Sequence, residues 1–168
     1  MSLCLEGAID FAQGRLGNAI SIFRAALAGG SLTQPSPAAG GTVAAAFLAE
    51  ALYERNALDE AENLLKAYLP LLKEAAAPDQ LISSYVVLAR IAMARGDQER
   101  AAVLHTEMEA VGHSKGLARM VATGRLERAR QTLLQGRLDL AQDLLQSGSD
   151  ERTWAEFAGL VTHANDVE

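Results

Sequence analysis

Leu88 to Ala101 reads LARIAMARGDQERA, an apolar helical stripe that breaks at Gly96-Asp97 and resumes with Ala101 as its first buried position. Before the break the apolar residues recur at three- and four-residue spacing, the period of a helix with one buried face. Gly96 supplies a helix stop and Asp97 an N-cap, so the stretch predicts a helix, a tight bend and a second helix. The same punctuation recurs in GRLGNA ending at Ala19, NALDEA at Ala61 and GRLDLA at Ala141. Successive alanines lie 42, 40 and 40 residues apart. A helical hairpin repeated at a fixed interval, unable to bury its apolar face alone, predicts an all-α solenoid of about four hairpins forming a single domain over residues 1–168.

Composition points the same way. Of 168 residues, 49% are hydrophobic but only 5% aromatic, with Ala and Leu dominant, which suits close helix packing and lacks the β-branched and aromatic runs of strands. A formal charge of −6 gives no electrostatic footprint for a phosphate backbone, so no direct nucleic-acid contact is expected. Cys4 is the only cysteine, which precludes an intrachain disulfide and suits a reducing compartment. No signal-peptide pattern and no run of membrane-spanning length is present. The chain reads as soluble and cytoplasmic.

Ala19, Ala61, Ala101 and Ala141 each lie one turn into a second helix, where the two arms of a hairpin are nearest. Four residues later stand Phe23, Leu65, His105 and Leu145, expected to fill the groove between helices. His105 is the polar exception and is expected to be half-buried and hydrogen-bonded rather than catalytic.

Along the chain, Leu5, Ile9 and Ala12 should face inward, with Gly7 marking a close approach of helices. Gly29-Gly30 stops the next helix. Ser31 to Gly41 (SLTQPSPAAGG) is a loop. Ala45, Leu48, Ala49, Leu52, Leu58, Leu64, Leu65 and Tyr68 form the second inward set, and Pro70 should kink its helix or start a new turn. Asp79 is the expected N-cap of the third pair, whose second helix should end near Gly112. The fourth pair starts near Ser114 or Lys115 and uses Leu126, Ala129, Leu133, Leu138, Ala141, Leu144 and Leu145. A terminal helix with Trp154, Phe157 and Val161 looks like half of a fifth hairpin, which suggests a piece of a longer polypeptide.

None of the usual reactive constellations can be assembled. The chain has no HExxH, no CxxC, no nucleophile elbow, and three scattered histidines. It is therefore expected to be neither an enzyme nor a cofactor or metal carrier. A solenoid binds along its concave face, lined by the first helix of each pair. Stacking in register puts Glu50, Tyr53, Glu54, Arg90 and Arg130 on that face, with the two arginines 40 residues apart and so side by side. Such a mixed-charge, partly apolar trough suits a peptide or a small polar effector. The competing reading is that these charges form salt bridges between repeats.

Small residues at the bend, the A-x-x-x-F spacing of Ala19 and Phe23, and Tyr85-x-x-Leu88-Ala89 resemble tetratricopeptide repeats. LAEALYERNALDEAENLL (Leu48 to Leu65), YVVLARIAMARGD (Tyr85 to Asp97) and RLERARQTLLQGRLDLA (Arg125 to Ala141) resemble the repeat region of MalT-like, LuxR-type ATP-dependent bacterial transcriptional activators. The resemblance implies a right-handed solenoid between an ATPase and a helix-turn-helix domain, sensing an inducer or protein partner, with homo-oligomers possible. The chain itself holds neither GxxxxGK[ST] nor a basic recognition helix, so those functions would lie outside it. The alternative is a free-standing scaffold that binds protein peptides.

If the recurring alanine sets helix spacing, Ala101→Leu should lower stability by about 1–3 kcal/mol, the usual cost of overpacking. Urea unfolding measures this, and a variant that melts no lower than wild type refutes the assignment.

Overall fold

The computed structural model describes residues 3–28 and 41–148, which contain eight α-helices and no strand. They are α1 (Leu3–Ala12), α2 (Leu16–Ala28), α3 (Gly41–Glu54), α4 (Leu58–Ala75), α5 (Pro78–Ala94), α6 (Gln98–Lys115), α7 (Ala118–Leu134) and α8 (Leu138–Gly148). The fold is all-α and built of helical hairpins, as the repeat predicts. Gly29-Gly30, residues 31–40 of the expected loop, and the stretch with Trp154, Phe157 and Val161 expected to form a terminal helix lie outside the described residues, while Gly41, expected to close the loop, opens α3. The helices group into two compact units, Met1–Arg95 and Gly96–Glu168.

All four bends share one backbone device. Gly14, Asn56, Gly96 and Gly136 have φ of 73°, 60°, 77° and 75°, and each stands five residues before the recurring alanine. Asn56 is the one non-glycine residue with positive φ among the described residues, and asparagine is the side chain that best tolerates this region. After the bend, the alanine N–H donates to the carbonyl four residues back, as in Ala61 to Ala57 (3.1 Å) and Ala141 to Arg137 (3.0 Å). Each alanine therefore joins the first hydrogen-bonded turn of its helix. Ala19, Ala61 and Ala101 are completely buried and Ala141 is 2% exposed.

In the first unit α1 packs on α2, α2 on α3, α3 on α4, and α5 on both α3 and α4. Helix α3 is consequently enclosed, and Ala44, Ala45, Ala46, Leu48, Ala49, Ala51 and Leu52 are all buried. Alanine prevails there because a helix with neighbours on several sides has little room for longer side chains. Helix α1 departs from its predicted stripe: Leu5 and Ile9 are exposed, and the residue it buries is Gly7. A Cβ on Gly7 would sit 2.5 Å from Cε1 of Phe23, so the aromatic ring takes the space a side chain would need. Phe23 also stacks on Phe47 of α3, with ring centroids 5.5 Å apart. The chain continues as a single helix through Pro70, without starting a new one.

In the second unit α6 packs on α7 and α7 on α8. Asp97 caps α6 as predicted, its Oδ1 accepting from the Arg100 N–H at 2.9 Å. Asp79 does not cap α5. The N-cap is Ala77, Pro78 occupies the first turn, and Asp79 one position on favours the positive end of the helix dipole. Gly112 does not end α6 either. It is buried inside the helix, where a Cβ would lie 2.8 Å from Cγ2 of Val121, and the stop is Gly116 with φ 67°. Accordingly α7 begins at Ala118, later than expected.

Gly7→Ala should destabilise the protein although alanine is the better helix former, because the clash with Phe23 outweighs the roughly 1 kcal/mol propensity gain. Gly17→Ala in α2, with nothing within 4 Å of its would-be Cβ, is the matched control. Thermal melts should show Gly7→Ala below wild type and Gly17→Ala at or above it.

Candidate functional site

The residues expected to line a binding face divide between the two units. Glu50, Tyr53 and Glu54 lie on α3 and Arg90 on α5, two helices that pack together. Arg130 belongs to α7 of the second unit. Glu50 is buried at 6% exposure, Tyr53 and Arg90 are half-buried, and Glu54 and Arg130 are exposed.

An apolar cleft in the first unit opens elsewhere, between the second helices of successive pairs. Ala25, Leu27 and Ala28 of α2 form one wall and Asn63 and Leu64 of α4 the other, with Leu48 of α3 as the floor. Its volume is about 650 Å³, within the range typical of small-molecule sites. Small side chains on α2 create the opening, since alanine at 25 and 28 leaves unfilled the space a leucine would occupy. Polar groups are few. Arg24 and Glu60 join across the rim at 2.6 Å, and Asn63 adds an amide. Both members of that ion pair are about half exposed, so the pair is worth little to stability and is free to exchange partners.

A more open depression of about 420 Å³ lies where the first two bends meet, lined by Gly14 to Asn18 and Arg55. Arg15 in it is already paired with Asp10. Arg95 ties the end of α5 to the start of α4 through Asp59 and Glu62. Lys66 one turn along α4, bonded at 2.7 Å, and Arg95 together hold the Glu62 carboxyl below the usual carboxylate range. These are links between repeats and use residues other than those predicted for the binding face. Among the described residues no three His, Cys, Asp or Glu side chains converge into a metal-binding group. No helix among them is long and apolar enough to cross a membrane.

His105 differs from its expectation. It is only 2% exposed, and neither ring nitrogen meets a partner at hydrogen-bonding geometry. Gln131 on α7 lies near enough to favour the protonated ring slightly without completing a normal bond. The imidazole takes the buried place that Phe23 and Leu65 hold in the first two repeats, whereas Leu145, expected to fill the same groove in the fourth, is 45% exposed. Burial lowers the imidazole pKa below the ordinary 6.5. Glu127 and Glu109 oppose that shift and Arg128 adds to it.

Paired helices joined by left-handed bends, with a small residue one turn beyond each bend, define a tetratricopeptide-type helical repeat protein. Comparison with known families matches residues 1–157 to the MalT-like TPR region. The chain belongs to that family. No curated protein and no solved structure matches it.

A depressed histidine pKa means the unfolded chain binds more protons over the interval between the folded value and about 6.5. The stabilisation of the neutral ring is therefore complete above pH 6.5 and lost as pH falls through the folded pKa. Wild type should lose stability between pH 7 and pH 5 by more than His105→Leu does, measured by urea unfolding at each pH. Parallel pH curves for the two proteins contradict this.

Proposed function

We propose that this chain is the non-catalytic regulatory module of a LuxR-type ATP-dependent transcriptional regulator, acting in the bacterial cytoplasm by binding an effector or a partner protein. The observation that carries the reading is the match to the MalT-like TPR region over residues 1–157. Helical repeats present long surfaces suited to recognition, with little in them to perform chemistry. Phosphate-cradling and DNA-reading elements would then come from other parts of the polypeptide.

The α2–α4 cleft is the effector site we favour. Its apolar walls supply burial, and Asn63 with the Arg24–Glu60 pair supplies a polar end that orients a ligand. Within the first unit, Tyr53, Glu54 and Arg90, beside the buried Glu50, are the contacts proposed for a peptide or partner domain.

Ala25 is exposed on the cleft wall, so Ala25→Phe should fill the space with a stability change within about 0.5 kcal/mol, as for most surface substitutions. In the full-length regulator the variant should lose inducer-dependent transcription from its target promoter while its melting curve stays unchanged. Undiminished induction excludes the cleft. Loss of induction on Arg90→Ala, at unchanged helical content, assigns recognition to the α3–α5 face instead.

A further inference from the structure

The charges that line the α2–α4 cleft cancel. Arg24 and Glu60 supply one of each sign and are joined to each other across the rim at 2.6 Å. Both stand about half in water, so parting them costs little. A charged ligand nevertheless gains little by parting them. A carboxylate that takes Arg24 lies beside the Glu60 it has displaced, and an ammonium that takes Glu60 lies beside Arg24. Such like-charge juxtaposition discriminates against the wrong partner. The polar group that remains is Asn63, one turn along α4 from Glu60. Its side chain is exposed and makes no hydrogen bond to another described residue. A carboxamide of this kind offers donors and an acceptor together.

The rest of the lining is aliphatic: Ala25, Leu27, Ala28, Leu48 and Leu64. Leu27 and Leu48 are only 4% and 3% exposed, so a ligand group that reaches them leaves water. A methylene gains by that transfer, whereas a hydroxyl without a partner is penalised. An oligosaccharide, polar on every side and given no aromatic ring to stack on, is a poor occupant. On the reading that this cleft is the effector site, we infer that its ligand is an uncharged amphipathic molecule, an aliphatic body ending in an amide-type head that pairs with Asn63. The walls select the body, the cancelled ion pair selects against net charge, and the open carboxamide selects the head.

Calorimetric titration of the whole chain with octanamide, octanoate, octylammonium and raffinose tests this. Octanamide should bind about tenfold more tightly than either charged octyl compound, the scale of one well-made hydrogen bond, and raffinose should give no binding heat. Asn63→Ala should weaken octanamide by about the same factor and leave octanoate unchanged. Glu60→Gln frees Arg24 and should raise octanoate to the affinity of octanamide, a change of preference that altered stability does not imitate. Equal or tighter binding of octanoate, octylammonium or raffinose to the wild type overturns the inference. So does an absence of octanamide binding, or an octanamide affinity unmoved by Asn63→Ala. Ala25→Phe separates the two readings. A preference for another head that Ala25→Phe abolishes overturns the ligand class alone, whereas octanamide binding that survives Ala25→Phe overturns the cleft as the site as well.

Discussion

Close approach of two helices beside a left-handed bend is the constraint on which this fold rests. At four bends the chain spends one residue in a backbone region that glycine or asparagine occupies cheaply, and five residues later it must present nothing larger than a methyl group. Burial of those alanines contributes little by itself. Its effect is to let the larger side chain one turn on, Phe23 or Leu65, reach the groove where the next helix lies. Gly7 and Gly112 extend the same economy, because Phe23 and Val121 occupy the volume their side chains would need. Stability in such an arrangement accumulates hairpin by hairpin through neighbour contacts.

Against this apolar background the charged groups divide by exposure. Arg24–Glu60 and the Arg95 links to Asp59 and Glu62 lie at the surface, where water and salt screen them and where they secure alignment more than stability. His105 is the opposite case, a titratable ring in a slot built for a hydrocarbon. Burial favours its neutral form over its cation, a bias that the hydrocarbon side chains of Phe23 and Leu65 do not carry.

Open space in the first unit arises from what the packing leaves over. The α2–α4 cleft exists because two second helices are held apart on a floor of α3 while α2 offers alanines to the gap. Its walls come from residues about 36 to 40 apart in the chain, such as Arg24 with Glu60, so it belongs to the repeat geometry and not to any local motif.

The sequence by itself determined the helical class, the period, the four bends with their alanines, and the Asp97 cap. All of these follow from short-range rules: hydrophobic period, positive-φ residues and capping side chains act within a turn or two of chain. Tertiary structure decided what those rules cannot reach. Whether Gly112 stops a helix or admits Val121 depends on a residue of another helix, and so does the burial of His105. The outward turn of Leu5 and Ile9 was illegible because an apolar stripe does not say which neighbours are present to cover it. Asp79 met the composition rule for a cap, but Pro78 started the helix before it. The cleft went unread because alanine at 25 and 28 looks, in sequence, like alanine anywhere else in these helices. Only the separation of α2 from α4 turns those missing side chains into space.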